Sequence, residues 1–338
     1  MTGVWRRHGR AWLTLACGLM VAAPAAPAGG IGGTGVSAYG PIQRFGSVFI
    51  DGREYHLRHA DIRVDGTASS RAALHLGQVA LVRARRVRGA LYSFKVSVRH
   101  GLQGLVTRIN PNTLTVLGQR VHRGDGPLGV AWTTLRRGDV VRVSGFAAGR
   151  RAWVATRISR TYRAGQRPRS YPVWLRGVLR RGNFGQLVIR GISIHLAGAR
   201  RLLGQPVRLQ GVASSAGVRW TRISPDLLAL GAAGTEVDMT GYVRRKQALW
   251  QQNHRALQFR GNMPRTDALA TVRGHLTANG AIVVGSFQEL GVERPGVSGV
   301  VRAGVPPPPA LPETTEAPDL EGPPILNRPQ VERPEKDQ

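Results

Sequence analysis

Cysteine is nearly absent from this chain, which has 338 residues and one thiol, Cys17. That residue sits in an apolar stretch, Ala11–Ala23, behind Arg6, Arg7 and Arg10. The stretch reads as a secretory signal ending at Ala26-Pro27-Ala28, so residues 1–28 are expected to be removed and the mature chain to start at Gly29. A mature chain without thiols has no disulfides and no cysteine-based metal or catalytic site. The apolar run is also too short to favour a membrane span, which needs roughly 20 residues. The implied destination is the periplasm or the exterior, the periphery of the outer membrane included.

Carboxylates are scarce as well: 19 acids against 48 bases, of which only Lys95, Lys246 and Lys336 are lysines. Asp51, Asp65 and Asp125 fall in Gly-flanked turns, where Asp is common for conformational reasons. Glu236 and Asp238, two apart, are the best case for a carboxylate pair. With no opposing partner in view they read as a solvated strand edge rather than an acid–base couple. His56, His59 and Asp61 resemble a metal triad, but strand residues three apart face opposite sides, and no second cluster completes four ligands. His195, His254 and His275 are isolated and read as surface or satisfied polar residues. No G-x-S-x-G elbow or G-x-x-x-x-G-K-[ST] loop occurs. Gly30–Gly35 matches G-x-G-x-x-G, yet lacks the preceding strand and following helix that would make it a dinucleotide site. The expectation is a non-enzymatic protein without metal or cofactor.

Aromatic residues make up 6% of the chain. Trp132, Trp153 and Trp220 alternate with apolar neighbours as core residues do, which makes nucleic-acid stacking the less favoured partner mode. No long amphipathic helical pattern occurs either.

What the chain has in excess is a repeat and a charge. GPIQRFGSVFIDGREY (Gly40–Tyr55), GLVTRINPNTLTVLGQRV (Gly104–Val121) and GVLRRGNFGQLVIRGISIHL (Gly177–Leu196) each open with Gly and run through two short strands. A Leu-x-x-Gly-Gln/Asp step, one residue shorter in the third copy, and a closing strand follow in each. A period near sixty residues marks a repeated structural unit. Units are expected at 40–100, 101–162 and 173–225, with a degenerate fourth at 226–290. Residues 29–39 read as a glycine-rich leader, 163–172 as a linker splitting the body into two pairs, and 291–338 as a disordered tail rich in proline and acid. The middle of the fourth unit, KQALWQQNHRALQFRGNMPRTDA, departs from the other copies and reads as a helix or long loop. Short alternating strands, about five per unit, predict an all-β chain of tandem OB-like barrels, since closure removes exposed strand edges. Units of sixty residues are near the lower limit of independent stability, so they are expected to lean on one another.

The stretch GGIGGTGVSAYGPIQRFGSVFIDGREY, with the later "L-x-x-G-Q-x-V" and "V-S-G" steps, resembles a bacterial family known as domain of unknown function 5666. The resemblance is good over Gly29–Ser159, moderate over Val173–Ser224 and weak beyond. It implies exported OB-like β-barrel repeats, and it brings no catalytic residues.

The formal charge is +29. An excess of that size attracts nucleic acid, anionic lipid or acidic polymer. Arg83, Arg85, Arg86, Arg150, Arg151, Arg176, Arg180, Arg181, Arg244 and Arg245 are the candidate polyanion-binding residues, because Arg forks suit phosphate and sulfate. The expected partner is an anionic envelope polymer or membrane surface. The alternative is a structural module of an envelope assembly, whose strand edges and proline-rich tail recruit a protein.

Overall fold

The computed structural model describes residues 35–246, 249–261, 263–264 and 266–290. The expected signal peptide, the first part of the leader and the acidic tail lie outside these residues. Among the described residues the chain is built of 22 strands and three 3-10 turns.

The second unit shows the plan most plainly. Its strands are β8 (Leu102–Ile109), β9 (Thr113–Val116), β10 (Gln119–Arg123), β11 (Val140–Ala147) and β12 (Ala152–Tyr162). β8 pairs with β9, β9 with β10, β10 in parallel with β12, β12 with β11, and β11 returns to β8. The sheet therefore closes into a five-stranded barrel of Greek-key type, as an OB-like fold requires. Leu102, Val106, Leu114, Val121, Val143 and Ile158 fill it, all buried.

The fourth unit repeats the circuit with β18 (Glu236–Lys246), β19 (Leu249–Gln252), β20 (Arg255–Phe259), β21 (Ala268–Leu276) and β22 (Ile282–Glu289). The segment expected to be a helix or loop is thus largely a β-hairpin. Trp250 and Leu257 lie opposite each other across it and turn into the core. A single alternating pair was too short a signal to set a period.

The other two units vary this plan. The first has β1 (Val36–Pro41), the hairpin β2 (Val48–Ile50) and β3 (Arg53–Tyr55), and the long pair β6 (Val79–Val87) and β7 (Ala90–Val98). A small hairpin, β4 (Asp61–Val64) and β5 (Thr67–Ser69), is added along β7. β1 begins inside the expected leader. Val36 and Ala38 are buried there, because their alternation lays them against β6 and outweighs the local glycine content. The third has β13 (Tyr171–Arg181), β14 (Leu187–Ile189), β15 (Ile192–Ile194), β16 (Pro206–Ser214) and β17 (Gly217–Pro225). Here β17 pairs only with β16 among the described residues, so this barrel is left open along one seam.

A shared stereochemical detail explains the opening glycine. A Cβ on Gly104 would come within 2.6 Å of Leu117, on Gly177 within 2.8 Å of Arg190, and on Gly241 within 2.7 Å of Asn253. On Gly40 it would sit 3.1 Å from Asp51 and 2.9 Å from Ile50. In each unit the tip of the second hairpin folds down onto the first strand, and only hydrogen leaves room. The tips are Asp51-Gly52, Leu117-Gly118, Arg190-Gly191 and Asn253-His254, with both residues at positive φ. That is the two-residue turn that matches strand twist.

The units lean on one another as their size demands. β1 pairs in parallel with β18, and β13 in antiparallel with β8, so the sheets join first to fourth and second to third. A cluster of Val79, Phe146, Val154, Tyr242 and Leu269 knits the first, second and fourth units together.

Candidate anion-binding cleft

Three ionic regions lie where units meet, and their carboxylate supply separates them. At the first–fourth joint, Glu236 pairs with Arg53 and with Arg86 at 2.9 Å, and Asp238 accepts from Arg273 at 3.0 Å. The pair read as a solvated edge is instead packed into an interface: Asp238 is fully buried. Burial, then the neighbouring Asp51, raises its pKa to about 6. Its register opposite Arg273 on β21 could not be known without the strand order.

The second region joins the first three units. The Asp65 carboxylate accepts from the His100 backbone N–H at 3.0 Å, contacts His100 Nδ1 at 2.7 Å and pairs with Arg176 at 3.2 Å. Asp226 takes Arg176 from the other side and pairs with Arg99 at 2.7 Å. Arg208 donates to the Asp65 carbonyl at 2.6 Å. Burial raises the carboxyl pKa of Asp65, but His100 and the two arginines outweigh it and hold the group well below its ordinary range. Burial likewise keeps His100 below its usual value against the pull of Asp65. Arg176, expected to meet a ligand, is therefore committed to structure. Its backbone N–H donates to Gly101 O at 2.9 Å and its Nε to His100 O at 2.7 Å. Its fork reaches two carboxylates at once, a geometry lysine cannot supply.

The third region is a cleft of about 880 Å³ to which all four units contribute. Eight arginines line it, and its one carboxylate is Asp226, already held by Arg99 and Arg176. Arg150 arrives from the β11–β12 turn, Arg180 and Arg181 from β13, Arg190 from the β14–β15 tip, Arg244 from β18 and His254 from the β19–β20 tip. Among the described residues the guanidinium groups of Arg150, Arg180 and Arg181 make no ion pair. Arg190 is held by oxygen atoms that carry no full charge: Gly149 O at 2.9 Å, Ala152 O at 2.7 Å and Gln119 Oε1 at 3.2 Å. It also lies 4.6 Å over the Trp153 ring. Burial, with Arg244 and Arg180 nearby, pushes its pKa down to about 9. Arg244 donates to Ala147 O and Arg255 to Leu228 O and Gly280 O.

His254 concentrates this imbalance. Its side chain is open to the cleft, yet burial among the walls and the charges of Arg180, Arg244, Arg190 and Lys246 lowers its pKa to about 4. It holds φ of +68° at a position where the other three tips have glycine. A side chain kept in that region against its steric preference is a local strain of the sort found at functional sites. Composition hid it, since an isolated histidine in an unrecognised hairpin gives no signal.

Of the ten arginines singled out by sequence, Arg150, Arg176, Arg180, Arg181 and Arg244 meet at this cleft. Arg151 touches its rim, donating to Gly191 O at 2.9 Å. Arg83 and Arg85 lie over Phe94 on the first unit, and Arg86 is engaged by Glu236. Arg245 is exposed, its backbone N–H donating to Asp267 at 2.9 Å. Sequence missed Arg99, Arg190, Arg255 and His254. Trp132 and Trp153 are core residues as expected, and Trp220 packs against the same core. His56 contacts Ser47 Oγ at 3.2 Å and stacks on Tyr92, and no metal-binding group of histidine, cysteine or carboxylate side chains occurs among the described residues.

No curated protein matches the chain. Residues 103–159, which run from β8 to within β12, match the family described as Domain of unknown function (DUF5666), so the closed second barrel is the part of this chain that is similar to that family.

Proposed function

We propose that this is an exported, non-enzymatic binding protein whose cleft between barrels holds a segment of an anionic envelope polymer or an anionic lipid headgroup. The observation that carries the reading is the cleft's balance of eight arginines against one carboxylate that is already paired. Concentrated positive potential between low-dielectric walls attracts anions strongly, and guanidinium forks match sulfate and phosphate oxygens. The signal-like N-terminus supports export. Nucleic acid fits less well, since Trp153 is buried beneath Arg190 and offers no open face for base stacking.

The test is binding of a heparin-derived hexasaccharide and of anionic vesicles at two salt concentrations. Affinity is expected to fall steeply with salt. Replacing Arg180→Gln and Arg181→Gln together should weaken binding about ten-fold, since two lost contacts at roughly 0.7 kcal/mol each sum to about 1.4 kcal/mol. Binding that ignores both salt and these substitutions contradicts the reading.

One observation favours a second role. β17 leaves an edge unpaired among the described residues, and Phe184, on the β13–β14 turn of the same unit, is almost fully exposed. Unpaired edges accept a strand from another protein. Salt-insensitive capture of an envelope protein, abolished by a proline at Thr221, would support that role instead.

A further inference from the structure

We infer that the end of the third barrel remote from its β14–β15 tip docks on an anionic lipid bilayer, with Phe184 entering the apolar layer and Arg200 and Arg201 meeting headgroups. This contact is separate from the cleft: the groove at that end shares no lining residue with it.

The second and third barrels differ here in one side chain. In the second, the 3-10 turn Trp132–Thr134 begins with an indole that is buried and donates its Nε1–H to Asn110 O of the β8–β9 turn at 3.1 Å. The indole seals this end of the barrel, and Leu114 and Val121, which face each other across β9 and β10, are fully buried. In the first unit Arg71 begins the same turn, its Nη2 3.5 Å from Gly46 O. In the third unit the turn Ala199–Leu202 begins with a methyl group, too short to reach across to the β13–β14 turn. The end therefore stays open as a groove of about 600 Å³. Its apolar wall is Leu187 and Ile194, which face each other as Leu114 and Val121 do, with Leu196 beside them. Arg200 and Arg201, both exposed, complete the lining.

The rim of the groove is apolar too. Phe184 is 93% exposed on the β13–β14 turn, next to the groove residues Gly185 and Gln186, and Leu203 is exposed just beyond Arg201. Exposed apolar groups gathered around an open groove mark a contact surface, and charge selects its partner. Residues 173–225, the whole third unit, contain nine arginines and no carboxylate. Among the described residues neither Arg200 nor Arg201 makes an ion pair. A protein surface of mixed charge leaves part of such a field unmatched. An anionic leaflet presents negative headgroups everywhere, with an apolar layer directly beneath them. Arginines beside a protruding aromatic group satisfy both layers at once.

The experiment measures sedimentation of the full chain with vesicles of phosphatidylglycerol and phosphatidylethanolamine, against vesicles of phosphatidylcholine alone. The first kind should bind and the second should not. Arg200→Gln and Arg201→Gln together should weaken binding about thirty-fold, from the loss of two headgroup contacts, and Phe184→Ser about ten-fold. Both changes fall on exposed side chains, so folding is retained. The cleft pair, Arg180→Gln and Arg181→Gln, should stay within about three-fold. In a Phe184→Trp variant, the emission in excess of the unaltered chain should shift to the blue on vesicle binding and be quenched by lipid brominated in its acyl chains. Vesicle binding lost in the cleft pair but kept in the Phe184 and Arg200/Arg201 variants overturns this docking surface and leaves the cleft as the lipid site. Vesicles ignored by the unaltered chain while the hexasaccharide still binds overturn the docking surface and spare the cleft. Binding without any change in the emission added by Phe184→Trp overturns it as well.

Discussion

Around Asp65 and around Arg190 the same residue type is buried at a junction between barrels, with opposite consequences. Arg176 is enclosed by two carboxylates and a backbone carbonyl, and its charge is matched. Arg190 is enclosed by two carbonyls, one amide oxygen and an indole face, and its charge is not. A matched arginine is a fastener whose removal leaves buried carboxylates without counter-charge. An unmatched one is tolerated only because its N–H groups are satisfied, and it leaves a positive field at an open cleft. With only eleven carboxylates between Gly29 and Leu290, most arginines have no carboxylate to match them. Acid placement, more than arginine placement, therefore separates structure from function here.

The largest effect should come from removing the centre of the matched group. Asp65→Asn leaves Arg176 and the His100 ring facing a neutral amide, and breaking a buried pair this way costs about 3–5 kcal/mol. Urea unfolding should show it, and a loss under about 1 kcal/mol would place Asp65 with ordinary turn residues. Next comes the contrast itself. Arg176→Met should cost about 3 kcal/mol for the same reason. Arg190→Met should cost about 1 kcal/mol or less, because relief from Arg180 and Arg244 offsets the lost hydrogen bonds. Equal losses for the two would erase the distinction.

A smaller effect concerns His254. In the unfolded chain its pKa is near 6.5, and in the fold it is about 4. Between those values the unfolded state binds the additional proton, so stability falls as pH drops from about 6.5 toward 4. His100, also lowered by burial, contributes in the same direction. His254→Gly should stabilise the protein by about 1 kcal/mol at pH 7 by removing the left-handed strain. It should also flatten part of the acid limb, and thermal melts at pH 7 and pH 4.5 will show both. An unchanged acid limb would mean that His254 does not feel the cleft's arginines.

The architecture was legible because its signals are local and repeated. Opening glycines at 40, 104 and 177, alternating strands and Gly-bearing tips each mark the same turn in the same place. The fourth unit was hidden where its tip reads Asn253-His254 instead of ending in glycine, and where Gln251 and Gln252 dilute the alternation. The cleft was half legible. Arg150, Arg180, Arg181 and Arg244 were visible as pairs or runs of charge, but only the order in which sheets join the units brings them together with Arg190 and His254. The same limit explains Arg176. Nothing in its neighbourhood along the chain reveals Asp65 and Asp226, which lie 111 and 50 residues away.

Where anions bind decides between a built cleft and a cationic skin. The deciding measurement is the salt dependence of hexasaccharide affinity for the unaltered protein, for Arg180→Gln/Arg181→Gln within the cleft, and for Arg83→Gln/Arg85→Gln on the first barrel. The cleft pair should lose about ten-fold in affinity and lower the slope against salt by roughly one to two, while the distant pair stays within about two-fold. Equal losses from both pairs would show a diffuse cationic surface and contradict a cleft made by the joining of barrels.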